Sequence, residues 1–68
     1  MNDILNTILG NLYGITLMPK SGVYVALDEL KRNEIMVEYS DLPIDVRSSL
    51  RILMRHIRND LERSAKDE

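Results

Sequence analysis

Between Pro43 and Arg63 the apolar residues Val46, Leu50, Leu53, Met54, Ile57 and Leu61 recur at spacings of mostly three and four, the pattern of one long amphipathic helix. A helix over about 43–63 is roughly 30 Å long at 1.5 Å per residue, and it consumes nearly a third of a 68-residue chain. The other two thirds must therefore cover one continuous apolar stripe. A chain of this size has room for a single core and buries only about 60% of the surface its unfolded form exposes, so one domain over 1–68 of marginal stability is expected. Small scaffolds recover stability from disulfides, a structural metal or association. Here there is no Cys, and His56 is the only histidine. Association with a copy of itself or with a larger partner is the remedy that remains.

Without Cys there is no disulfide framework to suggest an oxidising compartment, and Met1-Asn2-Asp3-Ile4 lacks the basic start of a secretory signal. A cytoplasmic location is the expectation. Asn, Gly, Asp and Arg interrupt every hydrophobic stretch before it reaches the roughly 18 residues of a membrane span, so no membrane partner is expected. The net charge of −2 lowers the expectation of general nucleic-acid binding.

From Asn2 to Tyr13 the apolar pairs Ile4-Leu5, Ile8-Leu9 and Leu12-Tyr13 repeat every four positions, which predicts a helix over about 2–13. Asn2 can cap it, Asp3 suits the positive end of its dipole, and Gly14 is placed to stop it in the left-handed conformation. Ile15 to Met18, the turn chemistry of Pro19-Lys20-Ser21-Gly22 and the β-formers Val23 to Leu27 together read as a β-hairpin over about 15–27. Glu34 to Tyr39 alternates as a third strand, with Ile35, Val37 and Tyr39 on one face. The fold class so read is α+β: an N-terminal helix, a small antiparallel sheet of two or three strands, and the long C-terminal amphipathic helix. The alternative is an all-α three-helix bundle, reached if residues 22–33 are helical, for which the good helix formers from Ala26 to Arg32 argue. Residues 64–68 have nothing to bury and are expected to fray.

Two features invite a functional reading. Arg47, Arg51, Arg55 and Arg58 lie 4, 4 and 3 residues apart on one flank of the long helix. Like charges four apart cost an isolated helix about 0.2–0.5 kcal/mol per pair, so something acidic should face them: Glu34, Glu38, Asp28 or Glu29 of the chain, a partner's acidic patch, or a phosphate backbone. On the expected sheet, Met18, Tyr24, Ala26 and Met36 would face away from the helices, an apolar surface of the kind that interfaces use. Leu50, Met54, Ile57 and Leu61 add apolar anchors on the long helix.

Catalysis finds no constellation. His56 stands among Arg55, Arg58 and Asn59 with no Cys, and Ser48, Ser49 and Asp60 share its helix without forming a convergent pocket. Gly10, Gly14 and Gly22 make neither a dinucleotide fingerprint nor a phosphate loop, and no loop carries calcium-ligand spacing. No cofactor and no metal are expected, and no enzymatic activity. The expected function is a small non-enzymatic protein-binding module, a regulator, inhibitor or adaptor, that dimerises or docks on a larger protein. Its apolar contacts would be Met18, Tyr24, Met36, Leu50, Met54, Ile57 and Leu61, and its charged contacts Arg47, Arg51, Arg55 and Arg58. A small DNA- or RNA-binding regulator using the arginine stripe is the alternative.

Overall fold

The computed structural model of the chain describes residues 2–66 and contains three helices: α1 (Asn2–Thr16), α2 (Val23–Glu38) and α3 (Ile44–Lys66), with a 3-10 turn at Lys20–Gly22 between the first two. Among the described residues no strand forms. The α+β expectation is therefore corrected to an all-helical architecture, and the three-helix alternative fits. The side chain of Asn2, expected as a cap, and the tail residues Asp67 and Glu68 lie outside the described residues.

The hairpin reading fails at its second strand. Val23, Ala26, Leu30, Asn33 and Val37, spaced 3, 4, 3 and 4, are the buried residues of α2, a helical face that a period of two does not produce. The apparent alternation of Ile35, Val37 and Tyr39 is incidental: Val37 is fully buried, whereas Ile35 is 51% and Tyr39 84% exposed. The strand preference of Val23, Val25 and Ile35 is small beside the burial of one whole helical face, and packing overrides it. The first strand is lost for a related reason. Gly14 does not adopt the left-handed conformation that would end α1, since no glycine has a positive φ. The helix instead continues to Thr16 and closes with bonds from the N–H of Leu17 to the Gly14 carbonyl and from the N–H of Met18 to the Ile15 carbonyl. Pro19, which lacks an N–H to continue the ladder, follows the break.

Helix α2 is central, with α1 packed on one flank and α3, more extensively, on the other. Ile8, Leu12 and Ile15 of α1, Ala26, Leu30 and Val37 of α2, and Leu50 and Met54 of α3 form one core, and Leu42 closes it from the loop before α3. That loop is fixed by the Ser40 hydroxyl, which donates to the Val37 carbonyl at 2.8 Å. At the next helix start, the Arg47 N–H donates to the Pro43 carbonyl at 3.0 Å. The result is an elongated body of 39 × 17 × 14 Å. Its total surface, 4871 Å², is about a tenth larger than the roughly 4,400 Å² usual for a compact chain of this mass.

Candidate functional site

The arginine stripe divides into two pairs. Arg58 donates to Glu34, and Arg51 donates to Glu38 at 2.9 Å, so two carboxylates of α2 supply the acidic neighbours that the stripe requires. Asp28 and Glu29 pair instead with Arg32 on their own helix, at 3.1 and 2.8 Å. Arg47 and Arg55 pair with no carboxylate among the described residues, and the Nε of Arg47 is buried without a hydrogen-bond partner. Half of the stripe is thus part of the α2–α3 contact.

The apolar residues expected at an interface are scattered by the helical fold. Leu50 and Met54 are buried core, and Met36 packs against that core. Their sheet-face premise is gone, since Ala26, grouped with Met18, Tyr24 and Met36, is fully buried. Met18, Ile57 and Leu61 do come together. They line a groove of about 220 Å³ where the end of α1, the start of α2 and the last turns of α3 meet, with Ile15 and Ala26 among the apolar lining residues and Lys20 and Asp60 as its charged ones. This volume lies below the ~300–1,000 Å³ of ordinary small-molecule sites. Tyr24 stands apart on the outer side of α2, 70% exposed.

An apolar stripe runs along α1 into the turn that follows it, where Leu9, Tyr13 and Leu17 follow one another at intervals of four and are 43%, 68% and 66% exposed. Residues at that spacing form one stripe on a helix. From Ile4 through Pro19 there is no charged residue, so the stripe lacks the charges that usually solubilise a surface helix. The opposite side of α1 is anchored: Asn11 donates through Nδ2 to the Oδ1 of Asn33 at 3.0 Å, and Asn33 in turn donates to the Glu29 carbonyl at 2.8 Å. Gly10 and Gly14 leave open space, with nothing within 4 Å of where a Cβ would sit.

Sequence periodicity alone does not set Leu9, Tyr13 and Leu17 apart from the core. The paired pattern Ile8-Leu9 and Leu12-Tyr13 suggests a core face wide enough for both members, but one neighbouring helix covers only Ile8 and Leu12. The signal that finds them is the charge-free run from Ile4 to Pro19, the longest in the chain.

His56 is exposed on α3. Among the described residues no group of three or more His, Cys, Asp or Glu is placed to hold a metal ion, and no helix is long and apolar enough to cross a membrane. Comparison with protein-family patterns, with curated proteins and with solved structures finds no match for this chain.

Proposed function

We propose that this chain is a small, non-enzymatic, cytoplasmic protein-binding module, a regulator, inhibitor or adaptor, that acts by dimerising or by docking on a larger protein. The observation that carries this reading is the exposed stripe Leu9, Tyr13 and Leu17 along α1 and into the turn after it, in a segment with no charge between Ile4 and Pro19. Contiguous apolar surface on a small domain marks an interaction site more often than isolated exposed residues do, and large side chains desolvated at the centre of a contact supply most of its binding energy. The stripe replaces Leu50 and Met54 as the source of anchors, because those two already serve the core.

The test is affinity capture from cell extract with the wild-type chain and with the Leu9→Glu/Leu17→Glu variant, whose changes fall on exposed positions. A protein retained by the wild type and lost by the variant supports the reading; identical sets retained by both contradict it. The nucleic-acid alternative draws no support from an arginine stripe half of which is paired with Glu34 and Glu38.

A further inference from the structure

We infer that the cleft between α1 and α3 seats one amphipathic helix of another protein, an inference that rests on the protein-binding reading above and names the class of partner. Arg51 pairs with Glu38 and Arg58 with Glu34, so residue numbers rise along α3 as they fall along α2. Asn11 meets Asn33, and Ile15 and Thr16 share the groove with Val23 and Ala26, so α1 and α2 are antiparallel as well. Helices α1 and α3 therefore run in the same direction, each packed on α2 and scarcely on the other.

The groove is one end of the space between them. Thr16 lines it from α1 and Asp60 from α3. Seven residues, two turns, bring a helix back to nearly the same side about 10 Å away. Seven residues before Thr16 and Asp60 stand Leu9 and Leu53, which are 43% and 42% exposed. The two leucines thus edge the same cleft at one height, and its apolar lining continues beyond the groove.

The chemistry of the lining selects a helix among the segments a protein can offer. Among the described residues there is no strand edge to pair with an extended chain. No tyrosine lines the groove, and the chain has neither Phe nor Trp, so the aromatic slots that take proline-rich segments are missing. No arginine lines it to recognise a phosphorylated segment. The apolar lining residues Ile15, Met18, Ala26, Ile57 and Leu61 instead suit the side chains of one helix face, and Leu9 and Leu53 meet its next turns. The incoming helix fills the fourth position of a bundle.

Dipole and charge set its direction. Thr16 ends α1 and Ser64 lies in the last turn of α3, so two negative helix ends stand at the groove. A helix laid antiparallel to both places its positive N-terminus there. Lys20, which also lines the groove and pairs with no carboxylate among the described residues, is placed to meet an Asp or Glu in that helix's first turn.

Selection from a displayed library of helix-forming peptides of about 15 residues, with the full chain as bait, tests the inference; a library of extended, proline-rich peptides is the control. The helix library should yield peptides with apolar residues at spacings of three and four and an acidic first turn, with dissociation constants on the order of 10 µM, as small contacts give. Leu53→Glu should weaken them about tenfold or more, and Tyr13→Glu should leave them within about twofold. Lys20→Glu should weaken them about threefold, and peptides with Lys in the first turn should regain that loss. All three positions are exposed, and circular dichroism verifies that each variant keeps its helices. No enriched helical peptide, enrichment from the extended library alone, or binders that Leu53→Glu or Lys20→Glu leaves untouched overturns the inference. So does a dimer of the chain that Leu53→Glu dissociates, since a second copy then fills the cleft. A protein captured through Leu17 and indifferent to Leu53→Glu overturns this inference alone and leaves the wider reading standing.

Discussion

Asn11 and Asn33 join α1 to α2 through a hydrogen bond of 3.0 Å, and Asn33, only 1% exposed, is the one buried polar residue among the described residues. The pair turns one side of α1 inward and so leaves Leu9 and Tyr13 facing out. Apolar contacts alone tolerate a rotated helix, whereas a buried amide tolerates only positions that satisfy it. Asn33→Ala removes both of its hydrogen bonds and a buried side chain, and should cost about 1–3 kcal/mol. Asn11→Ala leaves the Oδ1 of Asn33 unsatisfied and should cost about 1–2 kcal/mol. Urea midpoints at constant slope check both.

Met54 separates core from interface. At 1% exposure, Met54→Ala should cost about 2–5 kcal/mol, enough to unfold much of a small domain. Tyr24→Ala, at a position 70% exposed, should change stability by less than about 0.5 kcal/mol. Thermal melts of the two variants read the difference; equal losses would contradict the placement of Met54 inside.

The two ion pairs between α2 and α3 should differ in value. The side chains of Arg58 and Glu34 are 37% and 29% exposed, against 43% and 62% for Arg51 and Glu38. Glu34→Gln should therefore lower stability by about 0.5–1 kcal/mol, and Glu38→Gln by about half of that or less. Both losses should shrink in high salt, because exposed pairs are screened. Denaturant titrations at two salt concentrations check the order.

Gly14 carries no conformational demand, since its φ is not positive and no atom lies within 4 Å of where an added methyl would sit. Gly14→Ala should stabilise α1 by about 0.5–1 kcal/mol through backbone entropy and helix propensity. A melting temperature below that of the wild type, measured in dilute solution, would contradict it.

The C-terminal helix is legible in the sequence because its apolar spacing persists over five turns and no local preference opposes it. Leu53 shows the limit of such periodicity: it fits the stripe, yet remains 42% exposed. The middle of the chain misleads for the opposite reason. Val23, Val25, Ile35 and Val37 carry strand preference, and the decisive residue for the helical reading is Asn33, a polar side chain on the buried face that a count of apolar positions omits. The carboxylates facing the arginines are legible only as a set of four, Glu34, Glu38, Asp28 and Glu29, of which the first two pair with the stripe and the other two pair with Arg32. The α1 face is hidden by its own regularity, because nothing local distinguishes Leu9 from Ile8 until the number of covering helices is known.

The most direct measurement is a backbone amide NMR spectrum recorded as the chain is diluted from hundreds of micromolar to a few micromolar. Dimerisation through the exposed α1 stripe predicts concentration-dependent shifts centred on Leu9, Tyr13 and Leu17. Shifts centred instead on Tyr24, Ile35 and Tyr39, or none anywhere, would contradict it.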